Sequence, residues 1–372
     1  MFRYRYWIAS LLFAGLVGAK FDSLTGFTSL IRFGETWQNR RHTSLQRLPI
    51  STVSKSNGYD GQFYAQIALD PLLKGSELPR IIDAPSYRAH RILAPLVAWI
   101  AGCGNPWWVI QVYALINIVC WAGLGWVLCR LINGRDWIDF ARWVGCMFSV
   151  GILDSVRQSL VDLPALLLLV VAIWQLQRSR PNSSTLCLAL GGLAKETTLL
   201  GAIALSADSV FLAKNRLWTA CRIALVFVPT CLWWLYVDSR LGTEPSGSGL
   251  GNLTWPFAGL VRHTILCVTE LGHANLDGRY LFGLLAVVGI IIQSISIWRA
   301  SNLSSPWWRI GVAYSILIPF LSLWVWSGYW AACRAVLPLT ISFNLLLPAN
   351  RSFWPLWIAG NLTILHGLWR FL

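Results

Sequence analysis

Apolar runs separated by short polar breaks make up most of the chain. A helix that crosses a membrane needs about 20 consecutive apolar residues. Residues 107–131 meet that length, whereas residues 92–102 form a run that is too short to cross. Short runs are typical of helices that are broken around a polar cavity. The pattern predicts an all-α, polytopic membrane protein with about 10–11 membrane helices, including broken or half helices.

Polar stretches divide this single integral-membrane unit. Arg3 and Arg5 precede the first apolar run, which predicts a cytoplasmic N-terminus by the positive-inside rule. Lys20-Phe21-Asp22 is a poor cleavage site, so we expect a retained first helix rather than a removed signal peptide. The predicted segments are a first membrane helix (1–32), an outer loop with a short amphipathic helix (33–90), membrane helices (91–237), a second outer loop (238–279) and C-terminal membrane helices (280–372).

The composition strengthens the membrane assignment. Hydrophobic residues make up 56% of the chain and charged residues only 12%, against about 25% charged in soluble domains. The 23 Trp residues agree, because Trp gathers at membrane interfaces. These values exclude an ordinary soluble enzyme, a disordered chain and a collagen-like fibre.

The net charge of +14 favours a partner that carries phosphate, either anionic lipid or a phosphorylated substrate. Nucleic acid is not expected, because the basic residues are spread among the ends of membrane segments rather than gathered in one patch. The nine Cys residues form no C-x-x-C pair, so no zinc site is indicated.

Asp60 is the first ionisable residue that could carry chemistry. Asp60-Gly61 begins a predicted short helix that ends at Asp70-Pro71. Two interpretations stay open: Asp60 caps the N-terminus of this helix, or it is a general base that faces a cavity.

Three basic residues have a similar double interpretation. Arg88 and Arg91 share a helix face, where they could grip a phosphate or meet lipid headgroups. Arg334 lies on the predicted outer side, against the positive-inside pattern. It is either a phosphate ligand or a side chain that extends to the interface.

Charged residues inside apolar runs must face a cavity or a partner, since a charge at a helix centre costs about 2.5–3.5 kcal/mol. Arg157 could pair with Asp154 or Asp162, or one of the two aspartates could orient a sugar hydroxyl. Lys195 and Glu196 follow a glycine pair. Adjacent helical residues point about 100° apart, so we expect these two to have different partners.

The order of one basic-flanked helix, a long outer loop with an acidic residue and many short helices resembles the GT-C superfamily of integral-membrane glycosyltransferases. More closely, three segments of the first loop look like a bacterial membrane family connected with cell-surface glycopolymer formation. Weaker likeness lies around Lys195 and Arg334. The three segments are Tyr59-Asp60-Gly61-Gln62-Phe63-Tyr64, Ala68-Leu69-Asp70-Pro71 and Tyr87-Arg88-Ala89-His90-Arg91-Ile92-Leu93-Ala94-Pro95.

The resemblance implies a transferase that takes a sugar from a polyprenyl-phosphate donor. Asp60 would be the acidic catalytic residue of the first loop, and Asp154 or Asp162 would be a second catalytic residue. No cofactor is implied, and no metal site is assigned, because Gly61 stands where many members carry a second acidic residue. The implied substrate-binding residues are Tyr59, Gln62, Tyr64, Arg88, Arg91, Arg157, Lys195, Glu196 and Arg334.

The resemblance also implies a cellular location and binding partners. The protein would lie in the inner membrane in contact with lipid, with its active site on the outer face, and the acceptor would be a glycan, a lipid or a protein. The alternatives are a transporter or flippase of lipid-linked sugar and a non-catalytic component of a polysaccharide assembly complex. For an enzyme, we expect Asp60, Asp154 or Asp162, and Lys195 to converge on one outer-facing cavity.

Overall fold

The structure, a computed structural model, describes residues 4–206 apart from 133 and 135, residues 216–242, 249–273 and 277–371. Parts of the predicted second outer loop, 243–248 and 274–276, lie outside the described residues. Two short strands, β1 (Phe33–Gly34) and β2 (Thr52–Val53), pair in parallel. The helices are α1 (Tyr4–Gly18), α2 (Thr43–Gln46), α3 (Gly61–Ile67), α4 (Leu78–Ile81), α5 (Pro85–Ala89), α6 (Leu93–Ala101), α7 (Pro106–Leu131), α8 (Trp137–Met147), α9 (Val150–Arg157), α10 (Asp162–Gln177), α11 (Pro181–Ala194), α12 (Arg216–Leu241), α13 (Ala258–Gly272), α14 (Gly278–Ala300), α15 (Pro306–Leu317), α16 (Leu323–Ser327), α17 (Tyr329–Ala335), α18 (Leu337–Leu346), α19 (Phe353–Gly360) and α20 (Ile364–Phe371).

The protein is predominantly helical, as predicted, and it has helices suited to a membrane. Among the described residues, α7, α12 and α14 are long and apolar enough to cross a bilayer. Shorter apolar helices include α10, α18 and the 3₁₀ stretch Glu196–Ser206. Membrane association is therefore indicated, and the total of about 10–11 membrane helices stays a prediction.

Several helices are shorter than the apolar runs that encode them. The predicted first membrane helix (1–32) ends at Gly18, and Asp22 then accepts two backbone N–H groups, from Leu24 and Thr25, at 2.9 Å. The run 307–326 breaks around Pro319, which has no N–H to continue a helix. Hydropathy detects these runs but not their local breaks.

The break between α6 and α7 follows the predicted half-helix pattern. Gly104 has a φ of +69°, a left-handed conformation that glycine adopts without strain. Asn105 then caps α7, its side chain accepting hydrogen bonds from the backbone N–H groups of Trp107 and Trp108 at 3.1 and 3.3 Å. Pro106 occupies the first turn, where no backbone donor is needed.

The first loop, residues 19–92, is folded against the helices. Phe33, Phe63 and Tyr64 share one buried cluster with Ile110 and Tyr113 of α7. This burial joins the loop to the membrane helices, because removing such apolar surface from water stabilises the docked arrangement.

Gly61 lies where this loop approaches the backbone at the end of α9. A methyl group built on Gly61 would lie 2.1 Å from the backbone oxygen of Gln158 and 3.1 Å from that of Ile31. Neither backbone atom can turn aside as a side chain does. The first turn of α3 therefore docks only with glycine at this position.

We predict that Gly61→Ala lowers the melting temperature of the detergent-solubilised protein. Overpacking of this kind costs roughly 1–3 kcal/mol. Gly15→Ala in α1 is the matched control, because nothing lies within 4 Å of its added methyl group. Equal melting temperatures for the two variants would contradict the close docking of α3.

Candidate functional site

Asp60 does not cap α3. Its side chain makes no capping hydrogen bond. Both carboxylate oxygens instead accept from the guanidinium group of Arg88 at 2.9 Å. Arg88 also donates to Asp83, at 2.8 and 3.1 Å. The capping interpretation is thus wrong, and Asp60 is one of two carboxylates held by a single arginine.

Arg91 joins the first loop to the break after α11. Its guanidinium group donates to both oxygens of Glu196, at 2.5 and 2.8 Å. It also donates to the hydroxyl groups of Tyr64, at 2.8 Å, and Tyr87. Arg88 and Arg91 are both buried, so neither lies at a lipid headgroup surface.

Lys195 and Glu196 have different partners, as predicted from their adjacency. The helix ends at Ala194, and Lys195 has an extended backbone. Its ammonium group lies 2.5 Å from Asp162. Glu196 turns to Arg91 instead.

Arg334 contacts two buried carboxylates and the hydroxyl group of Tyr59. It lies 3.6 Å from Asp154 and 3.7 Å from Asp162, and it donates to the hydroxyl group of Tyr59 at 3.0 Å. Asp154 also lies 3.3 Å from Arg370 of α20. Arg334 is buried, so it does not extend to the interface. Of the two interpretations left open for Arg157, the ion pair with an aspartate is wrong, because Asp154 and Asp162 pair with other residues.

These contacts form one charge network. Tyr59 and Asp60 are adjacent in the chain, as are Lys195 and Glu196, so the separate pairs connect. The formal charge of the network is zero, because five carboxylates face five cations. Its members are Asp60, Asp83, Asp154, Asp162 and Glu196 with Arg88, Arg91, Lys195, Arg334 and Arg370.

The network keeps Asp60 ionised. Burial opposes the charge on this carboxyl, but the guanidinium groups of Arg88 and Arg334 outweigh it and lower the pKa of Asp60 below its ordinary value. A carboxylate that is already deprotonated at neutral pH can accept a proton from a bound hydroxyl group.

The three candidate catalytic aspartates differ sharply in how far their side chains are exposed to solvent. Asp60 exposes 35% of its side chain and borders a cleft of about 470 Å³ with Tyr59 and Gln62. The side chains of Asp154 and Asp162 are only 2% and 8% exposed. Asp162, Lys195 and Arg334 border a narrow crevice of about 10 Å³. The structure thus joins the candidates through one network, yet only Asp60 of the three aspartates borders the open cleft.

The sequence did not identify Asp83 and Arg370 as residues of the site. Nothing in the local sequence distinguishes Asp83 from other loop carboxylates. Arg370 had a usable signal, because the predicted topology places the end of the last apolar run outside, where an arginine breaks the positive-inside pattern. The same reasoning identified Arg334.

Two arginines beside the network are not neutralised. Arg157 ends α9 and is half-buried, and its charged neighbours are Arg32, Arg370 and Asp154. Within the described part of the chain, the side chains of Arg32 and Arg157 make no hydrogen bond or ion pair. We call these two residues the arginine pair. Their positive charge is available to an anion.

No protein-family model matches this chain, and no curated protein or solved structure matches it either. Among the described residues, no group of three or more His, Cys, Asp or Glu side chains is placed to hold a metal ion.

We predict strong coupling between Lys195 and Asp162. Lys195→Met or Asp162→Asn alone leaves one charge of the network unbalanced, which costs about 3–5 kcal/mol in a buried pair. The double variant restores a formal charge of zero and should be more stable than the sum of the two losses predicts. Thermal unfolding of the four proteins measures this coupling, and simple additivity would contradict the network.

Proposed function

We propose that this chain is a GT-C-type membrane glycosyltransferase that transfers a sugar from a polyprenyl-phosphate donor to an acceptor on the outer face of the inner membrane. One observation carries the proposal. Asp60 is an ionised carboxylate held by Arg88, and it faces an open cleft in the first loop. A deprotonated carboxylate that borders the cleft can accept the proton of a bound hydroxyl group as that group attacks.

The proposed reaction is a direct displacement. The acceptor hydroxyl oxygen attacks the anomeric carbon of the donor sugar, and its proton passes to the Asp60 carboxylate. The bond between the anomeric carbon and the phosphate oxygen breaks, and the phosphate keeps the electron pair. The products are an inverted glycoside and polyprenyl phosphate.

The buried members of the charge network would support this reaction without touching the sugar. Fixed charges stabilise a transition state best when they need no reorganisation during the reaction. Asp154 and Asp162 are buried and bound to cations, so we assign them positioning roles. They hold Arg334 and Lys195 rather than contact substrate.

The arginine pair is the proposed contact for the lipid phosphate. Arg88, Arg91, Lys195 and Arg334 already form ion pairs with carboxylates, whereas Arg157 and Arg32 form none among the described residues. A methyl group on Gly61 would contact the backbones of Ile31 and Gln158, the residues next to the arginine pair. The pair therefore flanks the segment that carries Asp60.

We predict that Asp60→Asn abolishes the surface glycan made by this protein while its abundance in the membrane stays normal, because Asp60 is partly exposed and Arg88 keeps Asp83 as a counter-charge. The amide cannot accept the proton, so the reaction lacks its base. Glycan profiling and quantitative immunoblotting measure the two outcomes.

Asp22→Asn is the matched control. Asp22 lies in the same loop, and the three hydrogen bonds to its side chain all use one oxygen, which asparagine retains. A normal glycan profile in Asp60→Asn cells would sink the assignment. It would favour a non-catalytic component of an assembly complex.

We also predict that Arg157→Ala weakens polyprenyl-phosphate retention, measured by native mass spectrometry of the detergent-extracted protein. No carboxylate loses an ion-pair partner in this variant, so it should fold normally. Arg178→Ala is the control, because Arg178 lies over the Trp174 ring at the opposite end of α10 from Asp162. Equal lipid retention in both variants would remove Arg157 from the site.

A further inference from the structure

The cleft beside Asp60 has a distinctive wall. Residues of the first loop form this wall. The cleft has a volume of about 470 Å³, within the range of about 300–1,000 Å³ that is usual for small-molecule sites. Three of its lining residues are aromatic: Trp37, Tyr59 and Phe63. None of the described lining residues is aliphatic.

We propose that this cleft binds a carbohydrate acceptor, with Trp37 as the surface on which a sugar ring stacks. This inference rests on the proposed function and narrows its acceptor from three classes to one.

Trp37 is held in place yet accessible. Its ring meets Phe63 edge to face, with centroids 5.0 Å apart and planes at 84°. The guanidinium group of Arg40 lies 5.9 Å from its ring centroid. The side chain is only partly buried and lines the cleft. The negative face of an aromatic ring attracts partially positive hydrogens, and the C–H face of a sugar ring presents such hydrogens.

Polar groups around Trp37 suit hydroxyl groups. Asp83 keeps 35% of its side chain exposed although it is bound to Arg88, and Asn57 also lines the cleft. An ionised carboxylate has about four acceptor sites, so Asp60 and Asp83 retain capacity after binding Arg88. An acceptor hydroxyl group held here would lie beside the base that removes its proton.

The same wall disfavours a lipid acceptor. An acyl chain is stabilised by contact with aliphatic or other apolar side chains, and the described lining offers only three aromatic rings among carboxylates, amides and arginine. A peptide acceptor is the competing class, and the experiment below treats it as an outcome.

Binding can be measured on the full-length protein in detergent by saturation-transfer NMR. The probes are maltotriose, chitotriose, mannotriose and a Ser/Thr/Asn-containing peptide. We expect at least one trisaccharide to bind, and its Kd to rise roughly tenfold in Trp37→Ala. Trp37→Phe should retain most of the binding, and Trp255→Ala, which changes an exposed tryptophan outside this loop, should retain all of it.

The outcomes separate this inference from the proposed function. No trisaccharide binding, binding of the peptide alone, or trisaccharide binding that is unaffected by Trp37→Ala overturns the carbohydrate site. Asp60→Asn should bind the trisaccharide and fail to transfer sugar. If trisaccharide binds at Trp37 but Asp60→Asn cells keep a normal glycan, the cleft remains a carbohydrate site and the catalytic role of Asp60 fails.

Discussion

Ten charged side chains at the junction of the first loop and the helices neutralise one another, and the ion pair between Arg91 and Glu196 ties the loop to the membrane helices. Removing one partner of a buried ion pair costs several kcal/mol. Arg91 of the loop pairs with Glu196, and Arg334 donates a hydrogen bond to Tyr59 of the loop, while Arg334 and Lys195 hold the two buried aspartates. The loop cannot move away without separating Arg91 from Glu196, which would leave both charges unbalanced. The segment that carries Asp60 is therefore positioned before any substrate arrives.

Local sequence patterns predicted the secondary-structure elements better than they predicted the long-range pairs of charged residues. The half-helix before α7, the short helix after Asp60 and the divergence of Lys195 from Glu196 all follow from interactions within a few residues. The pairing of Arg91 with Glu196 joins residues 105 positions apart, and no spacing rule relates residues at that distance. The alternative that pairs Arg157 with an aspartate is wrong for this reason, since Arg334 and Arg370 reach Asp154 from distant helices. Helix breaks were missed where one Pro or Asx turn interrupts an otherwise continuous apolar run.

In the proposed function, the residues around Asp60 bind the two substrates in separate regions. The acceptor occupies the aromatic and polar cleft, and the phosphate of the donor meets the arginine pair next to the backbone contacts of Gly61. Asp60 and Tyr59 line the cleft, and Gly61, the residue after Asp60, faces the backbone next to the arginine pair. A direct displacement needs the base beside the attacking hydroxyl group and positive charge beside the leaving phosphate, and the neutral charge network leaves the arginine pair as the local excess of positive charge.

The most direct measurement is the linkage composition of envelope glycans, together with polyprenyl-phosphate-linked sugars in lipid extracts, from cells that lack the gene. The account predicts that one glycosidic linkage disappears, that its lipid-linked donor accumulates, and that the wild-type gene restores both. An unchanged linkage composition with unchanged lipid-linked sugars would contradict a transferase.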